Sequence, residues 1–287
     1  MFSVVFCGTP DFAVPSLRAI AADGAFRVDL VVTQPDRPVG RKQTLTPPPV
    51  KTAAEALGIP VAQPEVLSTV HCPLSAPPDF LVVVAYGQIL SDDILAWPRV
   101  APVNVHASLL PRWRGASPIQ HAILAGDGET GVTIQRMVQK LDAGPILAQE
   151  RTPIAPRETF ESLHDRLASL GAELLVATLK RPLVEQEQSE DGVTMCRKLA
   201  RASGAATPDT MDAATIDRMV RGLSPWPGVT VDIDGVTVKV LESSLSPMPD
   251  ACPLPCANGT VLFLVRVQPP SGKPMTGHAW AQGHGKK

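Results

Sequence analysis

Short apolar runs alternate with longer amphipathic segments along the first half of the chain. The apolar runs cover residues 4–6, 30–33, 81–84 and 103–106, which is strand length, whereas residues 11–22 and 118–125 have helical periodicity. Strands that alternate with helices are typical of a mostly parallel, doubly wound α/β sheet. The pattern therefore predicts a Rossmann-like α/β domain.

A longer helix follows, with its apolar positions three and four residues apart. These positions are Phe160, Leu163, Leu167, Leu170 and Leu174. Thr159 is the predicted cap at its start. This spacing predicts packing against a core, and His164, which lies between the apolar positions, is expected to be a surface side chain.

The polar run 185–192 predicts a linker after this helix. Beyond it, residues 212–223 are predicted to be helical, and two alternating valine runs around Asp234 and Gly235 predict a β-hairpin. Residues 260–267 predict a further strand. The expected domains are 1–183, a linker at 184–204, and a smaller domain at 205–287.

The end of the chain departs from a regular strand pattern. Prolines dominate between residues 242 and 258, where no strand is expected, and residues 277–287 are predicted to be a frayed tail. The second domain is therefore expected to be shortened.

Composition narrows the class of protein. Apolar residues make up 44% of the chain, charged residues 19%, and the net charge is -2. No apolar run reaches the roughly 18 residues that span a bilayer, and the first strand begins at once, so a cytoplasmic protein without membrane association is expected. The five cysteines show no zinc-binding pattern, so no metal is expected. A monomer is expected because no coiled-coil pattern is evident.

The candidate chemistry lies at the end of the fourth predicted strand. Asn104 and His106 are two apart and would share one face of that strand. The turn 108–111 would leave the sheet at a carboxyl edge, where α/β sheets place ligands, and Asp142 follows in an Asp-x-Gly turn. An amide, an imidazole and a carboxylate can serve acyl transfer to an amine, because the reaction needs donors to an oxyanion and a route for a proton.

Each of these residues alone also has a structural interpretation, and a lone strand histidine is usually structural. The three together favour catalysis. His106 could donate to the oxyanion or accept the amine proton, and Asp142 could orient His106 or receive the proton through water. The chain has neither a G-x-G-x-x-G fingerprint nor a phosphate-binding loop, so nothing calls for a nicotinamide or a nucleoside triphosphate.

Several motifs follow one another in order. They are FCGTPDFA at 6–13, TQPDRP at 33–38, VAYG at 84–87, NVHASLLPRWRG at 104–115, GVTI at 131–134 and SPWP at 224–227. As an ordered set they resemble the methionyl-tRNA formyltransferase family. The resemblance implies transfer of a formyl group from 10-formyltetrahydrofolate to the amino group of methionine on initiator tRNA, with Asn104, His106 and Asp142 catalytic.

The resemblance also implies binding residues and a second domain. For the folate it implies Ser108, Leu109, Leu110, Pro111, Tyr86, Gly87, Ile89, Leu90 and Gly144. For the tRNA it implies the basic loop residues Arg37, Arg41 and Lys42, although composition alone would make this a solvated surface loop. Arg112 and Arg114, which flank Trp113, could meet tRNA phosphates, glutamates of the folate tail or only local carboxylates. The second domain would be OB-like. It carries seven basic and seven acidic residues from 205 to 287, so the catalytic domain and its loop are expected to supply most of the tRNA affinity.

Three alternatives share parts of these motifs. Amino-sugar N-formyltransferases would fit if the shortened second domain had lost tRNA binding. The formyltransferase that acts on glycinamide ribonucleotide ends soon after its catalytic aspartate, whereas this chain continues. A non-catalytic tRNA-binding protein on the same scaffold would not need all three catalytic side chains.

Overall fold

The computed structural model describes residues 1–40, 42–72 and 74–284. The strands are β1 (Phe2–Gly8), β2 (Phe26–Val32), β3 (Arg37–Val39), β4 (Thr44–Thr46), β5 (Val61–Ala62), β6 (Phe80–Val84), β7 (Ala101–His106), β8 (Arg114–Gly115), β9 (Glu129–Arg136), β10 (Ile146–Pro153), β11 (Met195–Cys196), β12 (Ala205–Ala206), β13 (Val229–Ile233), β14 (Val236–Ser244), β15 (Cys252–Pro255), β16 (Val261–Gln268) and β17 (Met275–Thr276). The α-helices are α1 (Val14–Ala22), α2 (Pro49–Ala56), α3 (Asp92–Leu95), α4 (Pro118–Ala125), α5 (Phe160–Leu179), α6 (Ala213–Gly222) and α7 (Gly277–His284).

The chain forms two compact units. The N-terminal unit comprises Met1–Gly115, Thr130–Pro153 and His164–Met195, and the C-terminal unit comprises Ala116–Glu129, Ile154–Leu163 and the chain from Cys196 onward. Two segments that precede residue 164 thus group with the chain beyond residue 195. The sequence boundaries 1–183, 184–204 and 205–287 remain a prediction.

A seven-stranded sheet forms the centre of the N-terminal unit. Its order is β10-β9-β7-β6-β1-β2-β5, with β1, β2, β5, β6 and β7 parallel and β9 antiparallel to β7. All four predicted strands are present, which confirms the mostly parallel α/β prediction. The chain runs outward from β1 first to one side and then to the other, so the topological switch point lies beside β1, where such sheets place ligands.

Burial explains why the inner strands read as unbroken apolar runs. Every residue of β6 and all but the first of β1 are buried, because both faces of a parallel sheet are covered. Helix α4 matches the predicted range. The predicted helix 11–22 begins as a 3-10 turn, Asp11–Ala13, before α1.

Helix α5 confirms the predicted amphipathic segment but changes its apolar face. Leu163, Leu167, Leu175 and Leu179 are buried, whereas Leu170 and Leu174, which were expected in the stripe, are half-buried. The buried leucines are separated by four or eight residues, so the apolar face extends farther along the helix than predicted, to Leu179. The predicted cap is confirmed, since the Ser162 N–H donates to Thr159 Oγ1 at 3.3 Å.

His164 on α5 is more enclosed than predicted. Its side chain is 14% exposed, with the ring edge-on to Phe12 at 5.3 Å between centroids. Its Nδ1 lies 2.9 Å from Asp165 and its Nε2 3.5 Å from Asp11. The aromatic contact and two carboxylates hold the ring against the helix, so the expectation of a plain surface side chain was wrong.

The C-terminal unit contains a six-stranded sheet, ordered β12-β13-β14-β16-β15, with β17 also paired to β16. The predicted hairpin is confirmed as β13 and β14 around Asp234 and Gly235, and the predicted strand 260–267 as β16. The expectation that no strand lies between 242 and 258 was wrong. β14 continues to Ser244, and β15 pairs with β16 although it contains Pro253 and Pro255. Proline is tolerated there because β15 ends the sheet and pairs on one side.

The predicted frayed tail is also corrected. Residues 277–284 form α7, and Trp280 is 5% exposed within the core of the C-terminal unit. A buried tryptophan gains enough from apolar burial to fix a short terminal helix. The last part of the predicted tail, residues 285–287, lies outside the described residues.

Candidate active site

Two of the predicted catalytic residues, Asn104 and His106, lie in the carboxyl-terminal half of β7, and Asp142 lies beside His106. On β7, Asn104 pairs in register with Gln135 of β9, and His106 pairs with Thr133. Paired residues, and residues two apart, lie on one face of a sheet. Four polar side chains therefore share the face from which the Asp142 turn approaches.

His106 is buried and held at both ring nitrogens. It is 6% exposed; its Nε2 lies 2.9 Å from the carbonyl oxygen of Trp113, and its Nδ1 lies 3.7 Å from Asp142 Oδ1. A carbonyl oxygen can only accept, so Nε2 carries the hydrogen. In the neutral ring, Nδ1 is then the nitrogen that can accept a proton, and it faces a carboxylate.

Asp142 is fixed by two donors. The Gly115 N–H donates to Oδ2 at 2.8 Å, and Gln135 Nε2 donates to Oδ1 at 2.9 Å. Its backbone is left-handed, with φ of 49°. Trp113 and Ala85, on neighbouring loops, are also left-handed, at 63° and 46°. Such backbones are strained for residues other than glycine and gather at functional sites.

Asn104 differs from both neighbours. It is half-buried, and within the described part of the chain its side-chain amide has no hydrogen-bonded partner. Its neighbours in register, Val83 of β6 and Gln135 of β9, hold the strand on both sides. The amide is therefore positioned by the sheet and free to bind a ligand.

Two glutamines of the site were missed in the sequence. Gln135 is 2% exposed and Gln188 9% exposed. Gln188 Nε2 donates to the backbone carbonyl oxygens of Asp142 at 2.9 Å and Gly144 at 2.7 Å. The polar positions Thr133 and Gln135, which alternate with buried apolar ones, could have indicated the first, but Gln188 lies in a polar run with no periodic signal.

The predicted linker is thus partly built into the N-terminal unit. Ile146 and Gln186 exchange backbone hydrogen bonds at 2.7 and 2.9 Å, and the Trp113 N–H donates to Thr194 Oγ1 at 2.8 Å. Most of the polar run 185–192 is exposed, and Gln188 is its one buried side chain.

Arg114 does not lie where a tRNA contact was expected. It is 3% exposed, and its Nε donates to Gln188 Oε1 at 3.0 Å. Its Nη2 is buried with no hydrogen-bonded partner in the described residues. A guanidinium enclosed in this way cannot meet a phosphate at the surface, so the assignment to tRNA is replaced by an internal one. Arg112 is exposed and stacks on Trp113, with its Cζ 4.4 Å from the ring centroid.

The turn 108–111 is held from below. Thr133 Oγ1 donates to the Ser108 carbonyl at 2.7 Å and accepts from the Leu110 N–H at 3.1 Å. Ser108 is fully buried, and its hydroxyl donates to the Arg112 carbonyl at 2.6 Å. Leu110 is buried, while Leu109 and Pro111 are partly exposed. The Ser108 hydroxyl is therefore engaged in a hydrogen bond within the turn.

The other residues assigned to folate lie on loops after β6 and β9. Tyr86 and Leu90 are buried, whereas Gly87 is exposed and Ile89 is 92% exposed. The Tyr86 carbonyl accepts from Thr9 Oγ1 at 2.8 Å. Burial raises the pKa of the Tyr86 phenol, which therefore stays neutral. Gly144 is buried, and a Cβ there would overlap the carbonyl oxygen of Arg136.

The basic loop has more structure than expected. β3 and β4 form a short exposed hairpin, in which Arg37 pairs with Thr46. Arg37 lies 3.5 Å from Glu65, and Lys42 is exposed. Arg41 lies outside the described residues. Lys51 belongs to α2 and donates to both Asp36 oxygens, at 2.8 and 2.9 Å, which lowers the pKa of Asp36.

The described residues also bear on membrane-spanning helices, metal-binding groups and disulfides. Among the described residues, no helix is long and apolar enough to cross a membrane, and no group of three or more His, Cys, Asp or Glu side chains could hold a metal ion. All five cysteines are free thiols.

Comparison with known proteins identifies relatives along the whole chain. The family model described as formyl transferase matches residues 1–179, and the model described as formyl transferase, C-terminal domain, matches residues 210–285. A methionyl-tRNA formyltransferase of Halorhodospira halophila is 52% identical over 246 residues, which cover 84% of this chain and 79% of the relative. One from Lysinibacillus sphaericus is 40% identical over 307 residues, covering 100% and 97%.

Solved structures show the same fold. An N-formyltransferase of Helicobacter canadensis, solved with folinic acid and dTDP-3-aminofucose, superposes with a TM-score of 0.70 at 17% identity and covers 92% of this chain and 99% of its own. The methionyl-tRNA formyltransferase of Clostridium thermocellum gives 0.59 at 15% identity, covering 94% and 99%. At these identities the likeness concerns the fold alone.

Proposed function

The chain belongs to the methionyl-tRNA formyltransferase family, enzymes that formylate initiator methionyl-tRNA, and from this we propose that Asn104, His106 and Asp142 transfer the formyl group of 10-formyltetrahydrofolate to the methionine amine. The observation that carries the proposal is the pair formed by His106 Nδ1 and the Asp142 carboxylate, 3.7 Å apart, on the face of β7 that Asn104 shares with His106.

The proton of the reaction goes to the pair formed by His106 and Asp142. Attack of the methionine nitrogen forms a C–N bond to the formyl carbon and leaves an excess proton on nitrogen. The bond from the formyl carbon to the donor nitrogen breaks afterwards, and that nitrogen takes up a proton. His106 Nδ1 is suited to carry the proton from the methionine nitrogen to the donor nitrogen. Its Nε2 is engaged by the Trp113 carbonyl, and Asp142 stabilises the cationic ring.

Asn104 stabilises the oxyanion. Its amide can donate to an oxygen that becomes negative, and it needs no change of its own charge. The sheet fixes its backbone from both sides, so the donor is aligned before the charge develops. A donor preorganised in this way acts on the transition state more than on the bound substrate.

The loops around the site suit a flat heterocycle. The folate donor, when bound, supplies an activated formyl group. Ile89 offers an exposed apolar side chain, and the exposed backbone of Gly87 and the partly exposed Leu109 and Pro111 lie on neighbouring loops. Apolar walls with a few fixed backbone donors and acceptors are the usual lining for such a ligand. Ser108, Leu110, Tyr86, Leu90 and Gly144 shape these loops from within.

The tRNA is held in part by the exposed β3–β4 hairpin. Arg37 and Lys42 supply charge there, and Arg112, stacked on Trp113, offers a further cation. Arg41, which lies outside the described residues, is assigned to the tRNA from the sequence. The free thiols fit a reducing compartment, which supports action in the cytoplasm. Action as a monomer is part of the same proposal.

The acceptor test separates this function from its alternatives. The protein is incubated with 10-formyltetrahydrofolate and methionyl initiator tRNA, the uncharged tRNA, or a nucleotide-linked amino sugar. Formyl-methionyl-tRNA should form, with no formylated sugar. Formylation of the sugar alone would contradict the proposal, and tRNA binding without transfer to any acceptor would favour the non-catalytic alternative.

A further inference from the structure

A chain of buried polar side chains lies behind Asp142. Arg114 Nε donates to Gln188 Oε1 at 3.0 Å, and Gln188 Nε2 donates to the backbone carbonyls of Asp142 and Gly144. Gln188 Nε2 also lies 3.4 Å from Gln135 Oε1, and Gln135 Nε2 donates to the Asp142 carboxylate. Both the main chain and the carboxylate of Asp142 are thus held by glutamines.

Chemistry fixes which way both amides point. A guanidinium only donates, so the oxygen of Gln188 must face Arg114, and its nitrogen then faces two carbonyls that only accept. The Asp142 carboxylate only accepts as well, so the nitrogen of Gln135 must face it. Neither amide can rotate by 180° without placing like groups against each other.

The segment held in this way needs support. Asp142 has φ of 49°, a conformation that residues other than glycine avoid. Gln188 donates to the carbonyls of residues 142 and 144, the two ends of this turn. Strained backbones persist where surrounding contacts over-determine them. The two hydrogen bonds from Gln188 meet this requirement.

We propose that Gln188 is a positioning residue for formyl transfer, which fixes the Asp142 turn through its amide N–H groups and so holds the carboxylate opposite His106. The inference rests on the proposed function. Arg114 orients the glutamine and acts in the same chain. The role requires the donor character of the Gln188 side-chain nitrogen, and the volume of the side chain is secondary.

Gln188→Glu separates positioning from packing. The substitution keeps the volume and the acceptor that faces Arg114, and it adds an ion pair there. It replaces the donor to the two carbonyls by an oxygen that repels them. We expect kcat for formyl transfer to fall about tenfold or more, because a small displacement of a catalytic group has effects of this size. The KM for each substrate should stay within about threefold, as for a group that acts in the transition state.

Two controls accompany this variant. Gln186→Glu makes the same change of charge two residues away, at an exposed position, and should leave kcat unchanged. In an Asp142→Ala background, Gln188→Glu should change kcat less than about twofold, because its effect passes through the missing carboxylate. A further tenfold loss in that background would overturn the proposal.

Other results are equally decisive. Wild-type kcat in a folded Gln188→Glu enzyme would overturn the inference and leave the proposed function intact, whereas a wild-type enzyme that transfers no formyl group would defeat the proposed function itself. A raised KM for the folate with unchanged kcat would assign Gln188 to the folate loop. If Gln188→Glu does not fold, Gln188→Met, which removes the donor without charge, must show the same loss of kcat. Failure of both to fold would make the residue structural and overturn the proposal.

Discussion

At the scale of single residues, the site combines fixed and free groups. The Asp142 carboxylate has two donors and His106 has its Nε2 engaged, whereas Asn104 has no hydrogen-bonded partner in the described residues. A group without an internal partner costs little to engage with a ligand, because no existing bond must break. The fixed pair is suited to carry the proton and the free amide to bind the oxyanion.

Gly144→Ala should disturb this site by steric overlap. The added Cβ would overlap the Arg136 carbonyl oxygen, so the turn that carries Asp142 must shift. We expect a loss of stability of about 1–3 kcal/mol, as for overpacking in an interior, and a fall in kcat of at least about tenfold. Thermal unfolding and formylation rates measure both. Gly24→Ala, where nothing lies within 4 Å of the new atom, should change neither, and a fully active Gly144→Ala would contradict the steric account.

The sequence predicted residues whose position follows from local rules. Asn104 and His106 share a face because strand residues alternate, and the approach of Asp142 followed from the family resemblance. The burial of Arg114 and the role of Gln188 did not follow, since they arise from contacts between segments 74 residues apart. Composition alone made Arg114 look like a surface cation and Gln188 like part of a linker.

At the scale of elements, the C-terminal unit contains more regular secondary structure than its sequence predicts. Its sheet includes β15, whose two prolines are tolerated at an edge, and its core includes Trp280 of α7. Proline has no backbone N–H to donate to a neighbouring strand, so it normally argues against a strand. An edge strand that contains proline is therefore hard to recognise from the sequence. Terminal helices as short as α7 are fixed by tertiary burial and not by their own propensity.

Trp280→Ala should therefore unfold more than a tail. Removing a tryptophan that is 5% exposed in a core should destabilise the C-terminal unit by about 3–5 kcal/mol. Denaturant unfolding followed by circular dichroism measures the loss. Gln282→Ala, on the same helix and exposed, should cost less than about 0.5 kcal/mol. Equal stabilities of the two variants would mean that α7 does not contribute to the core.

Asp217 of α6 should give the C-terminal unit an acid-sensitive contact. Burial raises its pKa, but hydrogen bonds from Arg221, Arg157 and Ser243 outweigh burial and hold the pKa below the ordinary value of 3.8. Because the folded pKa is depressed, the ionised carboxylate stabilises the fold above about pH 4, and this stability is lost as the pH falls through the folded pKa.

Asp217→Asn tests this contact. The variant should lose about 3–5 kcal/mol at pH 7, as expected when one partner of a buried ion pair is removed. Unfolding curves of both proteins from pH 7 to pH 3 should converge toward the acid end. A difference in stability that stays constant over this range would show that the charge of Asp217 does not matter.

At the scale of the whole molecule, the basic side chains differ in whether they are accessible to tRNA. The net charge is -2, so tRNA binding depends on local basic groups. The exposed hairpin carries Arg37 and Lys42, whereas Lys51 is paired with Asp36 and Arg114 is buried. Of the cations assigned to the tRNA, Arg114 is therefore removed, whereas Arg37 and Lys42 are exposed.

Reversing the charges of Arg37 and Lys42 should weaken tRNA binding and its salt dependence. For Arg37→Glu with Lys42→Glu, the slope of log K against log salt should become shallower by about 2, because two phosphate contacts are lost. Affinity for the folate donor should not change. Filter binding at several salt concentrations measures the slope, and Arg18→Glu, on an exposed position of α1, is the matched control. Parallel slopes for the double variant and the wild type would remove the hairpin from the tRNA interface.

The most direct test of the account is single-turnover formylation of methionyl initiator tRNA by the wild type, His106→Ala and Asp142→Ala. With 10-formyltetrahydrofolate at saturation, each variant should transfer the formyl group about 100-fold more slowly or worse, while folate affinity stays within a few fold. His278→Ala, an exposed histidine of α7, should match the wild type. Near-normal transfer by either His106→Ala or Asp142→Ala would contradict the assignment of this site as the place where the formyl group moves.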